Sequence, residues 1–534
     1  MQPQAVTPEL PLPAVTVSAR RRKAPPIWLQ LPVLALLLLA ALPLFFVVVR
    51  AAQVGPHEAF ALLWRPFVFG LLANTLKLMV LVTLGCALLG LALAWLVERS
   101  DLRWRNHWNV LLCLPFAIPS FVSGFTWVSI SPLFEGLGGT VLVMILSKYP
   151  LIYLPVVAVL RNLDPALEES ARMLGCSRRE VFWRVTLPLL RPVLMATSLL
   201  VAVHMLVEFG APSIMRYQTF TTAIYQQFEL EFSGSNAAML SALLLGLCML
   251  LLWGEFRLRG RGFARTGQGV ARSAARVRLG RWGLPAQALL LALVAVGCGV
   301  PLVMLGFWIA EGSSASFPLM EIAQTLWSSL TYSFGGALFS CLLALPVCLV
   351  VVRYYGRMAT LADRLPYLLH ALPGLVIALS LVFFALGYVP ALYQTSILLL
   401  LAYALLFMPM AQGPIRVALE KASPQLEEAA RTLGHTPIAT FLRVTLPIIS
   451  PAIGAGFVLV FLDCIKELTA TLILGPTGLE TLATKVWSHT GNLEYAGAAP
   501  YAALIVLVSG LPVYLLTTRA YRCLLYTSDA ADER

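Results

Sequence analysis

Leu167–Pro192 reads LEESARMLGCSRREVFWRVTLPLLRP, and Leu426–Pro451 reads LEEAARTLGHTPIATFLRVTLPIISP. The two align without a gap at an offset of 259, with 14 of 26 positions identical. An internal repeat of this quality implies a duplicated architecture. Each copy predicts a short helix with glutamate near its start (Glu169, Glu428), where negative charge suits the free N–H groups. Gly175 and Gly434 end that helix, since glycine takes the left-handed terminal turn at little cost. A second short helix then runs to Leu187-Pro188 or Leu446-Pro447, where proline is expected to open a spanning helix. A single copy would read as a connector. Two copies with the same glutamate, glycine and proline spacing call for a shared docking role.

Outward from the repeat the chain is apolar. Of its 534 residues 59% are hydrophobic and 12% charged, and the mean hydropathy is +0.82. Apolar runs long enough for a bilayer core recur throughout. The fold class is therefore an all-α polytopic membrane protein of about twelve transmembrane helices in two pseudo-symmetric halves. The runs centre on 28–49, 70–97, 108–131, 139–160, 190–210, 237–255, 284–309, 327–352, 366–387, 391–415, 450–472 and 498–518. The first follows a basic segment but is too long for a signal peptide and lacks a small-residue cleavage site, so it reads as an uncleaved helix. Pro119 with Pro373, and Pro155 with Pro409, extend the duplication at an offset of 254.

The formal charge of +12 sits in short clusters between the apolar runs. With the N-terminus inside, the loops 98–107, 161–189, 256–282, 353–365 and 416–448 are cytoplasmic and hold most of the Lys and Arg, as the positive-inside rule requires. The outer loops carry few, among them Arg65, Arg216 and Lys485. No basic face interleaved with aromatics appears, so nucleic acid is not a partner. The nine cysteines form no CxxC pair and read as small apolar fillers.

The expected organisation is a disordered cytoplasmic N-terminus (1–26), a first half (27–255, repeat loop 161–189), an Arg- and Gly-rich linker (256–282), a second half (283–518, repeat loop 416–448) and a tail (519–534). Within the tail, residues 523–534 (CLLYTSDAADER) read as translated vector or adapter DNA.

Glu169-Ser170-Ala171, Gly175, Val185 and Leu187-Pro188, repeated as Glu428-Ala429-Ala430, Gly434, Val444 and Leu446-Pro447, resemble the EAA loop of ABC importer permeases. Ser170 for alanine and valine for isoleucine are the departures. The resemblance spans about residues 70–518 and implies two type I permease domains in a bacterial inner membrane, with both termini cytoplasmic. It implies that Glu169, Ala171, Gly175, Leu187 and Pro188, with Glu428, Ala430, Gly434, Leu446 and Pro447, couple the chain to two copies of a cytoplasmic ATPase. It further implies a periplasmic substrate-binding protein, no cofactor on this chain, and ATP with Mg on the ATPase.

Lys466-Glu467-Leu468-Thr469-Ala470-Thr471-Leu472 followed by Thr481-Leu482-Ala483-Thr484-Lys485-Val486-Trp487, and Thr219-Phe220-Thr221-Thr222-Ala223-Ile224-Tyr225 in the first half, are similar to the iron(III) permeases, with Thr469 in place of proline. Fused permeases for thiamine, phosphonate and other small solutes are the alternatives. Glu208 and Glu467 follow the repeat glutamates Glu169 and Glu428 at one and the same interval. His204 and Asp463 stand four residues earlier, a spacing that puts each pair on one helix face. Two roles fit these groups and Lys466: lining a path or gate, or interhelical pairing, with no metal site assigned. No GxxxxGK[ST] occurs, so ATP is hydrolysed elsewhere and the chain is no enzyme. Scattered histidines and the absence of HExxH exclude a membrane-embedded metalloenzyme, and the doubled docking segment argues against an ion-coupled secondary transporter.

Overall fold

A computed structural model describes residues 25–53, 55–230, 234–258, 277–312, 318–370 and 372–510. Residues 1–24, most of the linker and the tail, including 523–534, lie outside them. Helices dominate, and a parallel bridge between Ser100 and Val277 is the β-type pairing among the described residues. A lipid environment dictates this outcome, because a helix satisfies its backbone polar groups internally.

Among the described residues nine helices are long and apolar enough to cross a membrane: Ile27–Val49, Pro66–Arg99, Leu137–Arg161, Arg178–Val207, Gly234–Gly254, Gly280–Glu311, Leu319–Arg353, Ser396–Lys421 and Pro437–Ile465. Two more expected spans are bent. Arg105–Ala117 meets Ser120–Ile130 at 83°, and Arg357–His370 meets Gly374–Tyr388 at 107°. The breaks fall at Pro119 and Pro373, the residues paired by the repeat. Proline disfavours helical backbone in the residue before it, and Ile118 is accordingly extended, with ψ 121°. Each proline then caps the next leg, its carbonyl accepting from Ser123 N (3.0 Å) or Val376 N (2.9 Å). The described part of the twelfth expected span is the helix Tyr495–Gly510.

The halves exchange their opening helices. Ile27–Gln53 packs along Gly374–Tyr388 and Arg357–His370 of the second half, where Ser380 donates to the Pro43 carbonyl (3.1 Å). Reciprocally, Val300–Glu311 packs on Ser120–Ile130 of the first half, and Trp308 Nε1 donates to Ser129 Oγ (2.9 Å). The last described helix crosses as well: Ser509 Oγ donates to the carbonyl of Ala117 at the first break (3.2 Å).

The second half is built round Leu319–Arg353, Ser396–Lys421 and Pro437–Ile465, which cross closely. A Cβ at Gly336 would stand 2.8 Å from the Tyr403 ring and 3.0 Å from Cys464 Sγ. The described cysteines are free thiols, all buried except Cys176. Gly336→Val should cost about 1–3 kcal/mol by overpacking and lower the thermal unfolding midpoint of the purified chain. Gly246→Val, where a Cβ meets nothing within 4 Å, is the control.

Candidate functional site

Each repeat begins with a capped helix, Pro165–Met173 or Pro424–Thr432, whose N-cap side chain (Asp164, Ser423) accepts from the backbone two residues on. Both helices stop at a glycine with φ +89°. Beyond Gly175 the Cys176 N–H reaches back to Ala171 O (3.1 Å), and beyond Gly434 the His435 N–H reaches Ala430 O (3.1 Å). This closing turn needs a left-handed residue.

The glutamate doublets divide their work. Glu168 is buried, pairs with Arg99 (3.1 Å) at the end of Pro66–Arg99, and accepts from Thr186 Oγ1 (3.0 Å). Glu427 repeats this with Arg353 (3.0 Å) and Thr445 (3.2 Å). Arg353 also donates to the Ala422 carbonyl (3.0 Å). Glu169 and Glu428, expected at the helix start, instead face outward from the fifth position, and the first-turn acids are Glu168 and Glu427. Ala171 is half-buried and Ala430 buried. The turn tips are apolar and open: Met173 and Leu174 are 90% and 86% exposed, and Leu433 81%.

Proline does not open a new helix after the turn. Arg178–Val207 and Pro437–Ile465 run through Leu187-Pro188 and Leu446-Pro447, with one π turn each at Phe182–Thr186 and Phe441–Thr445. Pro188 and Pro447 donate no N–H, and their rings would crowd the carbonyl four residues back. The wider turn makes room. These 30- and 29-residue helices carry the chain roughly 45 Å from the repeat turns at 1.5 Å per residue.

At their far ends lie the ionisable groups. Glu208 and Glu467 fall just past the helices Leu187–Val207 and Leu446–Ile465, so neither shares a helix face with His204 or Asp463. Glu208 accepts from Ser120 Oγ (2.7 Å) and pairs with Lys148 (3.6 Å). Glu467 accepts from Thr469 Oγ1 (2.6 Å) and Ala470 N (2.9 Å), and its Oε1 would be 3.4 Å from a Cβ at Gly374. Ser120 and Gly374 each follow the break proline of their half, so each carboxylate sits against a broken span. Asp463 acts electrostatically with Lys466, His370 and Lys148. Lys466 lies over the Phe116 ring of the other half (5.8 Å), and the His204 and His370 rings meet across the halves at 6.4 Å. Thus five residues selected from sequence gather near one interface, joined by Lys148 and His370. Among the described residues, no group of three or more His, Cys, Asp or Glu side chains stands close enough to hold a metal ion.

Residues 86–254 and 336–524 match the family described as binding-protein-dependent transport system inner membrane component. The chain belongs to that family. It is the permease component of a binding-protein-dependent ABC importer, and such components are not themselves enzymes. It is 43% identical over 505 residues to the Fe(3+)-transport system permease protein FbpB 2 of Haemophilus influenzae, covering 94% of this chain and all of the relative. It is 22% identical over 508 residues to the ferric transport system permease protein FbpB of Actinobacillus pleuropneumoniae, covering 85% of this chain and 72% of that one. A match to the sulfate transport system permease protein CysT of Escherichia coli is 28% identical over 244 residues, or 42% of this chain and 88% of the relative.

Sequence reasoning missed the anchors of this permease's repeats. Arg99 and Arg353 share the offset of 254, and Thr186 and Thr445 that of 259, so a search for equivalent charges would have found them. Lys148 gave no such signal, because Ala402 holds its equivalent position. Glu168→Ala should strand a buried guanidinium, a loss of about 3–5 kcal/mol locally, while Glu169→Ala changes stability by less than about 0.5 kcal/mol. Hydrogen exchange over 165–186 measures both: protection should fall only in the first variant.

Proposed function

We propose that this permease imports iron(III), with the path running between the two halves past Glu208 and Glu467. The observation that carries the coupling part is the duplicated EAA segment, which is tied to its own half by an ion pair and presents an exposed apolar tip. Exposed apolar surface on a short rigid hairpin suits insertion into a partner. We assign Glu169, Ala171, Gly175, Leu187 and Pro188, with Glu428, Ala430, Gly434, Leu446 and Pro447, to contact with two copies of a cytoplasmic ATPase that holds ATP and Mg. The basic loops favour a bacterial inner-membrane orientation with both termini cytoplasmic and a binding protein on the far side. Residues 27–255 and 283–518 act as the two functional halves, and the ferric relatives matched over most of the chain support iron over thiamine, phosphonate or sulfate.

His204, Glu208, Asp463, Lys466 and Glu467 then form the inner path or gate. Their partners make them unequal: Glu467 is held by a backbone and a hydroxyl donor, whereas Glu208 accepts from the Ser120 hydroxyl and also pairs with the Lys148 charge. Glu208→Gln should therefore reduce uptake roughly tenfold and Glu467→Gln by less than about threefold, since an amide oxygen still accepts neutral hydrogen bonds. Radiolabelled iron(III) uptake, with the ATPase and binding protein present, measures this, and equal losses would refute the division of roles. In the same assay Glu169→Lys with Glu428→Lys should abolish uptake at unchanged membrane abundance. Transport of another solute and not iron by the assembled wild type would overturn the substrate assignment.

A further inference from the structure

On the side away from the EAA segments, a cavity of about 260 Å³ opens between the halves. Glu135, Ser213 and Arg216 line it from the first half, and Trp487, Thr490 and Tyr495 from the second. Trp487 continues inward into an aromatic layer, with its ring 5.1 Å from Phe209 and 6.0 Å from Tyr225. Phe209 adjoins Glu208, so this layer separates the cavity from the inner carboxylates.

The turn carrying Arg216 differs from its counterpart in the second half. The helices Phe220–Tyr225 and Leu482–Gly491 begin alike: Thr219 and Thr481 both form reciprocal caps, and the first backbone N–H is held by Thr75 (3.1 Å) or Ser329 (2.7 Å), themselves repeat partners. Aligned on these caps, Arg216 corresponds to Gly478. Both have positive φ, +53° and +82°. Left-handed backbone costs an ordinary residue about 1–2 kcal/mol, and the second half avoids that cost with glycine. An arginine held in this conformation points to a role for its side chain. That side chain reaches Glu135 (3.5 Å), and the Gly136 N–H to Met215 O bond (2.7 Å) fixes the two loops together. Arg216 and Glu135 both act electrostatically on the Tyr495 phenol. Leu493, another left-handed residue, also lines the cavity.

We propose that this cavity is the receiving site for ferric cargo, with the Glu135 carboxylate and the Tyr495 phenolate as ligands and Arg216 holding Glu135 until the ion arrives. The proposal rests on the iron(III) reading. Carboxylate and phenolate are hard oxygen donors matched to a hard ion. Two protein ligands leave the remaining positions to water or the chelator, which suits an ion that must be released onward. On binding, the Tyr495 O–H bond breaks and its proton passes to water. Two iron–oxygen bonds form in exchange for two to water or chelator, Arg216 turns to solvent, and the iron stays ferric throughout.

The test is titration of the purified full chain in lipid nanodiscs with ferric nitrilotriacetate, followed by tyrosinate-to-iron charge-transfer absorption in the visible. A saturable band is expected in the wild type and in the control Tyr217→Phe. Tyr495→Phe should abolish it, Glu135→Gln should weaken apparent affinity roughly tenfold, and Arg216→Gln should preserve or strengthen it. Absence of a saturable band in the wild type, or its persistence in Tyr495→Phe, overturns the proposal. Iron uptake by the assembled importer separates the two levels. Uptake without the band removes the receiving site alone, and no uptake by the assembled wild type removes the iron(III) reading with it.

Discussion

A guanidinium–carboxylate pair lies beneath each half, buried in the first and half-buried in the second, and it ties three elements of that half together. Glu168 joins three elements: the end of Pro66–Arg99 through Arg99, the EAA helix on which it sits, and the start of Arg178–Val207 through Thr186. Glu427 does the same with Arg353 and Thr445. Separating such a pair would leave an uncompensated charge away from water. Each exposed tip is therefore tied to two spanning helices at once. The π turns keep the second of those helices continuous through its proline, and it spans the roughly 45 Å to the groups at its far end.

Those groups sit where spans are broken. The bends at Pro119 and Pro373 bring Ser120 and Gly374 to the carboxylates, so the polar atoms freed at the breaks lie beside the side chains able to use them. Unwound backbone at membrane depth survives where protein or an internal cavity surrounds it. Duplication supplied two equivalent carboxylates, and divergence then gave them different partners. Lys148 faces Glu208 where the second half has Ala402, and Lys466 stands where the first half has Val207.

The architecture was legible because bilayer thickness and duplication both leave strong periodic marks. Eleven of the twelve expected spans correspond to long helices or bent pairs, and the twelfth to Tyr495–Gly510. What composition conceals is direction. An apolar run centred at 108–131 reads the same whether straight or folded through 83°, and the deciding residue is one proline. The EAA glutamates show a second blind spot. Glu168 and Glu169 are chemically identical neighbours, and only packing reveals which is sunk beneath the bundle and which faces out. Nor does spacing of four residues guarantee a shared face when the helix ends first, as it does before Glu208 and Glu467.

The exchange of opening helices has a consequence for biogenesis. Ile27–Gln53 is made early, yet two of its partners, Arg357–His370 and Gly374–Tyr388, emerge only after the whole first half and the linker have been synthesised. At about 5–20 residues per second, this helix resides in the bilayer for roughly tens of seconds before its second-half partners exist. It is the most apolar of the nine long helices, and until then it has lipid and Gly234–Leu258 of its own half to pack against. Closure of the fused chain is thus a late, long-range event, and fusion keeps the two ends of that contact on one molecule until it forms.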